Sequence, residues 1–192
     1  MTRLSRSSFA LLVGLASLAA APLRAQSPVS DSAEFANWRQ VQQRDVDGLR
    51  EKFMALARAL PAEKFGWRPM EGTRSFHEVF AHLAAEGFTE PVGFGRPLPA
   101  GSLSDFDAEE ARLRALPDDQ LMAAMDRAME NLSEAFAGLS RAKMNTPIPF
   151  FGESTFPRAA VTYSLVDLHE HLGQLVSYAR MNQIVPPWSR RP

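Results

Sequence analysis

Helical hydrophobic periodicity, repeated over four long stretches and interrupted each time by proline, most limits what this chain can fold into. The first stretch covers about residues 33–60, with Asp31 or Ser32 available as a cap and Pro61 as a stop. The second comes after Ser75, whose hydroxyl can accept from the unpaired N–H groups of a first helical turn, and runs over about residues 76–88 ahead of Pro91. The third comes after Pro117, from Asp118 or Asp119 to about Leu139, and the fourth covers about residues 159–182 before Pro186 and Pro187. A short extra helix is expected over residues 107–116, and the stretch rich in Pro and Phe at 146–157 reads as loop. No sustained period-2 alternation appears, so the pattern predicts an all-α fold, an antiparallel four-helix bundle.

The N-terminus reads differently. Arg3 and Arg6 precede an apolar run over residues 9–21, and Pro22, Leu23, Arg24 and Ala25 come next. A basic head, a short apolar stretch and small residues before a cut describe a secretory signal peptide at 1–25, cleaved after Ala25 or near the Ala19 to Ala21 cluster. The rival is a membrane anchor, but the run falls short of the roughly 20 residues a spanning helix needs, and a proline closes it. The expectation is an exported, periplasmic chain with no stable membrane anchor after cleavage, its folded domain at 26–192. The chain contains no Cys. That excludes disulfides and a lipid-modified cysteine, so stability must come from a packed core or a bound metal.

The formal charge of the whole chain is −1, and removing Arg3, Arg6 and Arg24 makes the remainder more acidic. Without a basic cluster, nucleic acid is excluded as the main partner, because phosphate contacts supply most of that affinity.

All four histidines fall in two of the helices, His77 and His82 in the second, His169 and His171 in the fourth. On the fourth helix, Asp167, His171, Gln174 and Tyr178 form one polar stripe beside the apolar face of Leu165, Leu168, Leu172 and Leu175. Asp167 and His171, at i and i+4, can reach one ion, or can hydrogen-bond to each other on a solvated helix edge. His169 points about 160° away from His171 and cannot share its metal. In the second helix His77 and His82 flank the apolar face on opposite sides, and periodicity leans slightly toward His77 as the inward residue. Phe150, Phe151, Trp67, Trp188 and Met181 can either wall a pocket or pack the end of the bundle.

Two segments, DLHEHLGQLVSYARMNQIVPPWS from Asp167 and FGWRPMEGTRSFHEVFAHLA from Phe65, resemble the DinB/YfiT-like family of metal-binding four-helix bundles. The resemblance places the family's second-helix ligand on His82 and its last ligand on His171. The first ligand of the fourth-helix pair, usually His, falls on Asp167. It implies a divalent metal held by His82, Asp167 and His171, with Gln174 and Tyr178 behind the ligands or facing substrate. Two imidazoles and a carboxylate suit Zn²⁺, Ni²⁺, Fe²⁺ or Mn²⁺. The activity implied is metal-dependent transfer of a thiol or hydrolysis, with a small-molecule substrate as the partner. The alternative is a non-catalytic bundle that holds a metal or small ligand. Relatives of this kind often pair, so a homodimer is a further expectation.

Overall fold

The computed structural model describes residues 31–190; the expected signal peptide lies outside them. Among the described residues, five helices carry the fold: α1 (Asp31–Ala59), α2 (Phe76–Gly93), the short α3 (Phe106–Arg114), α4 (Asp118–Ala137) and α5 (Pro157–Met181). None of these is long and apolar enough to cross a membrane.

The four long helices form one bundle around a core that includes Phe53, Phe76, Phe80, Phe136, Met125 and Met129, all fully buried. Their directions are set by which residues meet. Arg39 donates to the carbonyl of Leu139, Asp47 accepts from Ser133, and Arg50 pairs with Asp126, so α1 and α4 run antiparallel. His77 meets Asp118, and Asn131 meets Gly87, so α2 and α4 run parallel. Phe76 packs on Tyr178 and His82 on His171, which makes α2 and α5 antiparallel. Arg158 lies over Trp38 and His169 meets Asp45, which makes α1 and α5 parallel. The expected antiparallel bundle is thus antiparallel only in two of its neighbouring pairs. The cause is the extra helix: α3 carries the chain back along α2, so α4 starts where α2 started.

Local chemistry sets the start of α2. Ser75 Oγ accepts from the N–H of Glu78 at 3.2 Å while Glu78 Oε2 accepts from the N–H of Ser75 at 2.7 Å, a reciprocal capping box. At the other end the helix runs past Pro91 instead of stopping before it. Pro91 cannot donate to the carbonyl of Gly87, four residues back. Asn131 Nδ2 from α4 donates to that oxygen instead, at 2.9 Å. Gly87 permits the contact, because a Cβ there would stand 2.6 Å from the carbonyl oxygen of Ala128.

The stretch expected to be loop contains a small hairpin, β1 (Ile148–Phe150) antiparallel to β2 (Glu153–Thr155), with Phe150 paired to Glu153. Its two turn residues, Phe151 and Gly152, have φ of 48° and 77°, the two successive positive values of a type I′ turn. Strands of three residues are too short to show an alternating pattern. The hairpin sits on α2 at Gly93, where a Cβ would approach the carbonyl oxygen of Pro149 to 2.8 Å.

Candidate metal centre

Antiparallel α2 and α5 bring His82 and Glu86 from one helix against Asp167 and His171 from the other. One nitrogen or oxygen of each side chain lies within 4.8 Å of the others. The two imidazoles stand 4.9 Å apart between centroids at an interplanar angle of 68°. His82 Nε2 is 3.2 Å from Glu86 Oε1, and His171 Nε2 is 3.4 Å from Asp167 Oδ2. Both pairs have i, i+4 spacing, which stacks the two side chains on one helix face.

Each imidazole is fixed from behind through Nδ1. Gln174 Nε2 donates to the Tyr178 hydroxyl at 2.8 Å, which turns its Oε1 toward His171 Nδ1 at 2.9 Å. This pattern assigns His171 the Nδ1–H tautomer and leaves the Nε2 lone pair facing the centre. On the other side His82 Nδ1 lies 3.3 Å from Glu110 Oε2 of α3. Glu110 in turn pairs with Arg74 and Arg114. Phe106 covers the edge of the His82 ring, with centroids 5.4 Å apart.

The electrostatics of the metal-free centre are those of crowded, buried groups. Burial works against the charge on His82, but hydrogen bonds to Glu110 and Glu86 outweigh it and raise its pKa to about 9. Burial raises Glu86 to about 7; the hydrogen bond and charge of His82 pull it back, while Asp167 adds to the rise. His171 moves the opposite way from His82, lowered first by burial and helped by the His82 charge, while Gln174 and Asp167 work against the shift. Glu110, beside His82 and Arg114, falls to about 2 despite its burial.

Asp167 Oδ2 is buried with no hydrogen-bond partner. A buried carboxylate oxygen left unpaired is costly, and a cation bound among these donors would satisfy it. Ligands to a divalent ion sit at about 2.0–2.2 Å, so small side-chain movements close the present spacing around one ion. Two imidazoles and two carboxylates are a donor set that first-row divalent metals take. The residues present therefore fit a divalent cation.

The other sequence candidates are elsewhere. His77, favoured by periodicity, contacts Asp118 Oδ1 at 2.6 Å and the carbonyl of Arg114 at 3.1 Å, tying α2 to the start of α4. His169 meets Asp45 on the surface. Tyr178 is buried edge-on against Trp67 and Phe76, so it braces Gln174 from inside the core and does not line an open site. Of the aromatic and apolar candidates, Phe150 and Phe151 line a cavity, whereas Met181 and Trp188 are exposed. Glu86 is absent from the sequence-based ligand set, although its spacing from His82 repeats that of Asp167 and His171.

A family model of the DinB superfamily matches residues 46–175, well over half of the chain, from within α1 to within α5. The protein belongs to the DinB superfamily. No curated protein matches it as a relative. The DinB match spans His82, Glu86, Asp167 and His171 together with Glu110 and Gln174, which hold the two imidazoles from behind.

Proposed function

We propose that this DinB-superfamily protein is an exported, divalent-metal-dependent enzyme of the transferase or hydrolase type that acts on a small molecule. The observation that carries the reading is the convergence of His82, Glu86, Asp167 and His171, with Asp167 Oδ2 buried and without a hydrogen bond. The signal-like residues 1–25 support export to the periplasm.

When bound, a cation such as Zn²⁺, Ni²⁺, Fe²⁺ or Mn²⁺ supplies Lewis-acid polarisation of a substrate oxygen or sulfur. The chain's own residues do the rest. His82, Asp167 and His171 hold the ion, and Glu110 and Gln174 keep the imidazoles turned toward it. Glu86 either completes the ligand set or stays free as a carboxylate beside the substrate. The Phe106 ring packs edge-on against His82.

One observation favours a second reading, a non-catalytic metal-holding bundle: four protein donors can fill a tetrahedral ion completely, as structural sites do. The two readings separate by experiment. Metal analysis of the purified mature protein is expected to give one ion per chain. After reloading with Co²⁺, a change in its visible spectrum on adding azide would report an exchangeable coordination position and support the enzyme. Bound Co²⁺ without that effect supports the structural bundle, and absence of stoichiometric metal overturns both.

A further inference from the structure

Phe151 holds the first of the two turn positions of the hairpin with φ 48°, where asparagine, aspartate or glycine is usual. A bulky side chain in the left-handed region is strained, and such strain persists only where the surroundings impose it. Its ring is nevertheless half-exposed. That ring meets Phe106 at 6.2 Å and Tyr163 at 5.4 Å between centroids, and both contacts lead to the metal centre. Phe106 packs edge-on against His82 at 5.4 Å. Tyr163 precedes Asp167 by four residues on α5, which puts both side chains on one helix face. Phe151 therefore reaches from the His82 side of the centre to its Asp167 side.

The same ring lines a groove of about 230 Å³ whose walls also include Gly93, Phe106, Pro149 and Phe150. Among the described residues, no Lys or Arg lines it. Its acidic residue, Glu90, has both carboxyl oxygens buried from solvent, so the groove presents no accessible charge. The hydroxyl of Thr89 is already donated to the carbonyl of Ala85, at 2.8 Å. Such walls suit an uncharged, apolar occupant, which gives up no hydrogen bond on entering and covers the exposed half of the Phe151 ring. Aromatic walls also favour another ring, through edge-to-face and offset contacts. Size sets the limit. An apolar cavity of roughly 150 Å³ takes one benzene, so this groove takes one ring with a short tail.

We propose that this groove seats an uncharged, phenyl-sized apolar group of the substrate while the substrate's reacting group sits at the metal, with Phe151 as the specificity-determining residue. The strained turn holds the Phe151 ring against Phe106 and Tyr163, so the groove and the metal centre share a wall. The assignment deepens the enzyme reading by naming the substrate class, and rests on that reading for the metal end of the substrate.

Titration calorimetry on the zinc-loaded full domain tests it with two probes that share one metal-binding group, acetohydroxamate and benzohydroxamate. Benzohydroxamate is expected to bind about tenfold or more tighter, the scale of burying much of one phenyl ring. Glycine suits the positive φ at the turn, so Phe151→Gly is expected to keep a urea midpoint near that of the parent while the phenyl preference falls about threefold or more. Equal binding of the two probes, or a preference that Phe151→Gly retains in full, overturns the inference and leaves the metal centre standing. Stoichiometric zinc that takes neither hydroxamate overturns it together with the enzyme reading. Sedimentation of the same two proteins tests the rival occupant: a parent dimer that Phe151→Gly dissociates would put a second copy of the chain on the ring, and the inference fails.

Discussion

His82 and His171, one from each of two antiparallel helices, face each other with ring centroids 4.9 Å apart, and each is held through Nδ1 by a side chain behind it. That arrangement turns both Nε2 atoms toward Glu86 and Asp167. Two orientated imidazoles and two buried carboxylates thus share one small volume, poised to take up a cation.

Gln174 acts on the metal only through His171. Gln174→Ala is expected to weaken zinc affinity about 10–100-fold, the usual cost of losing a partner behind a ligand. Competition with a chromogenic chelator measures it. Tyr178→Phe removes only the hydroxyl that orders Gln174 and is expected to have a smaller effect in the same direction.

Metal binding competes with protons on His82. Its pKa of about 9 in the metal-free protein lies above the ordinary histidine value of 6.5, so at neutral pH the ring carries two protons and must give up the one at Nε2 to bind. Zinc affinity is therefore expected to rise with pH until about 9. Zinc titrations near neutral pH, in two buffers of different ionisation enthalpy, are expected to show between one and two protons released per ion, one from His82 and a fraction from Glu86. Affinity independent of pH between neutrality and about 9 would show that His82 is not a ligand.

Glu90 gives the metal-free protein a stability that depends on pH in the opposite sense to ordinary acid denaturation. Its folded pKa is raised, first by burial and then by Glu86, above the 4.5 of the unfolded chain. Its contribution is thus fully present below 4.5 and is lost as pH rises through the folded value. Glu90→Gln is expected to flatten this decline, so that melting temperatures of variant and parent diverge as pH rises, with the variant higher.

Gly87 sets the distance between α2 and α4. Gly87→Ala places a Cβ 2.6 Å from the Ala128 carbonyl oxygen and presses on the Asn131 contact that satisfies the turn before Pro91. The expected cost is about 1–3 kcal/mol, read as a lowered midpoint in urea unfolding at unchanged slope.

The helices were legible in the sequence because their ends carry local chemistry: the Ser75 cap and Pro117 at starts, Pro61 after α1, whereas the start of α5 at Pro157 was read as loop. Pro91 misled, since its missing hydrogen bond is made good by Asn131 from another helix, a contact with no local signature. Helix direction was hidden for a similar reason. Periodicity shows which face is apolar and not which neighbour covers it, so the parallel α2/α4 pair leaves no trace in the pattern. At the site, periodicity favoured His77, whose ring is occupied by Asp118 and Arg114, while the family resemblance pointed to His82. Glu86 was visible in principle, because it repeats on α2 the four-residue spacing of Asp167 and His171.

That His82, Glu86, Asp167 and His171 surround one cation is the claim on which the functional reading stands. A crystal structure of the zinc-loaded protein with anomalous data at the zinc edge tests it most directly. One strong anomalous peak is expected within about 2.0–2.2 Å of Nε2 of both His82 and His171 and of an Asp167 carboxylate oxygen. A peak bound elsewhere, or none between α2 and α5 at saturating zinc, would contradict it.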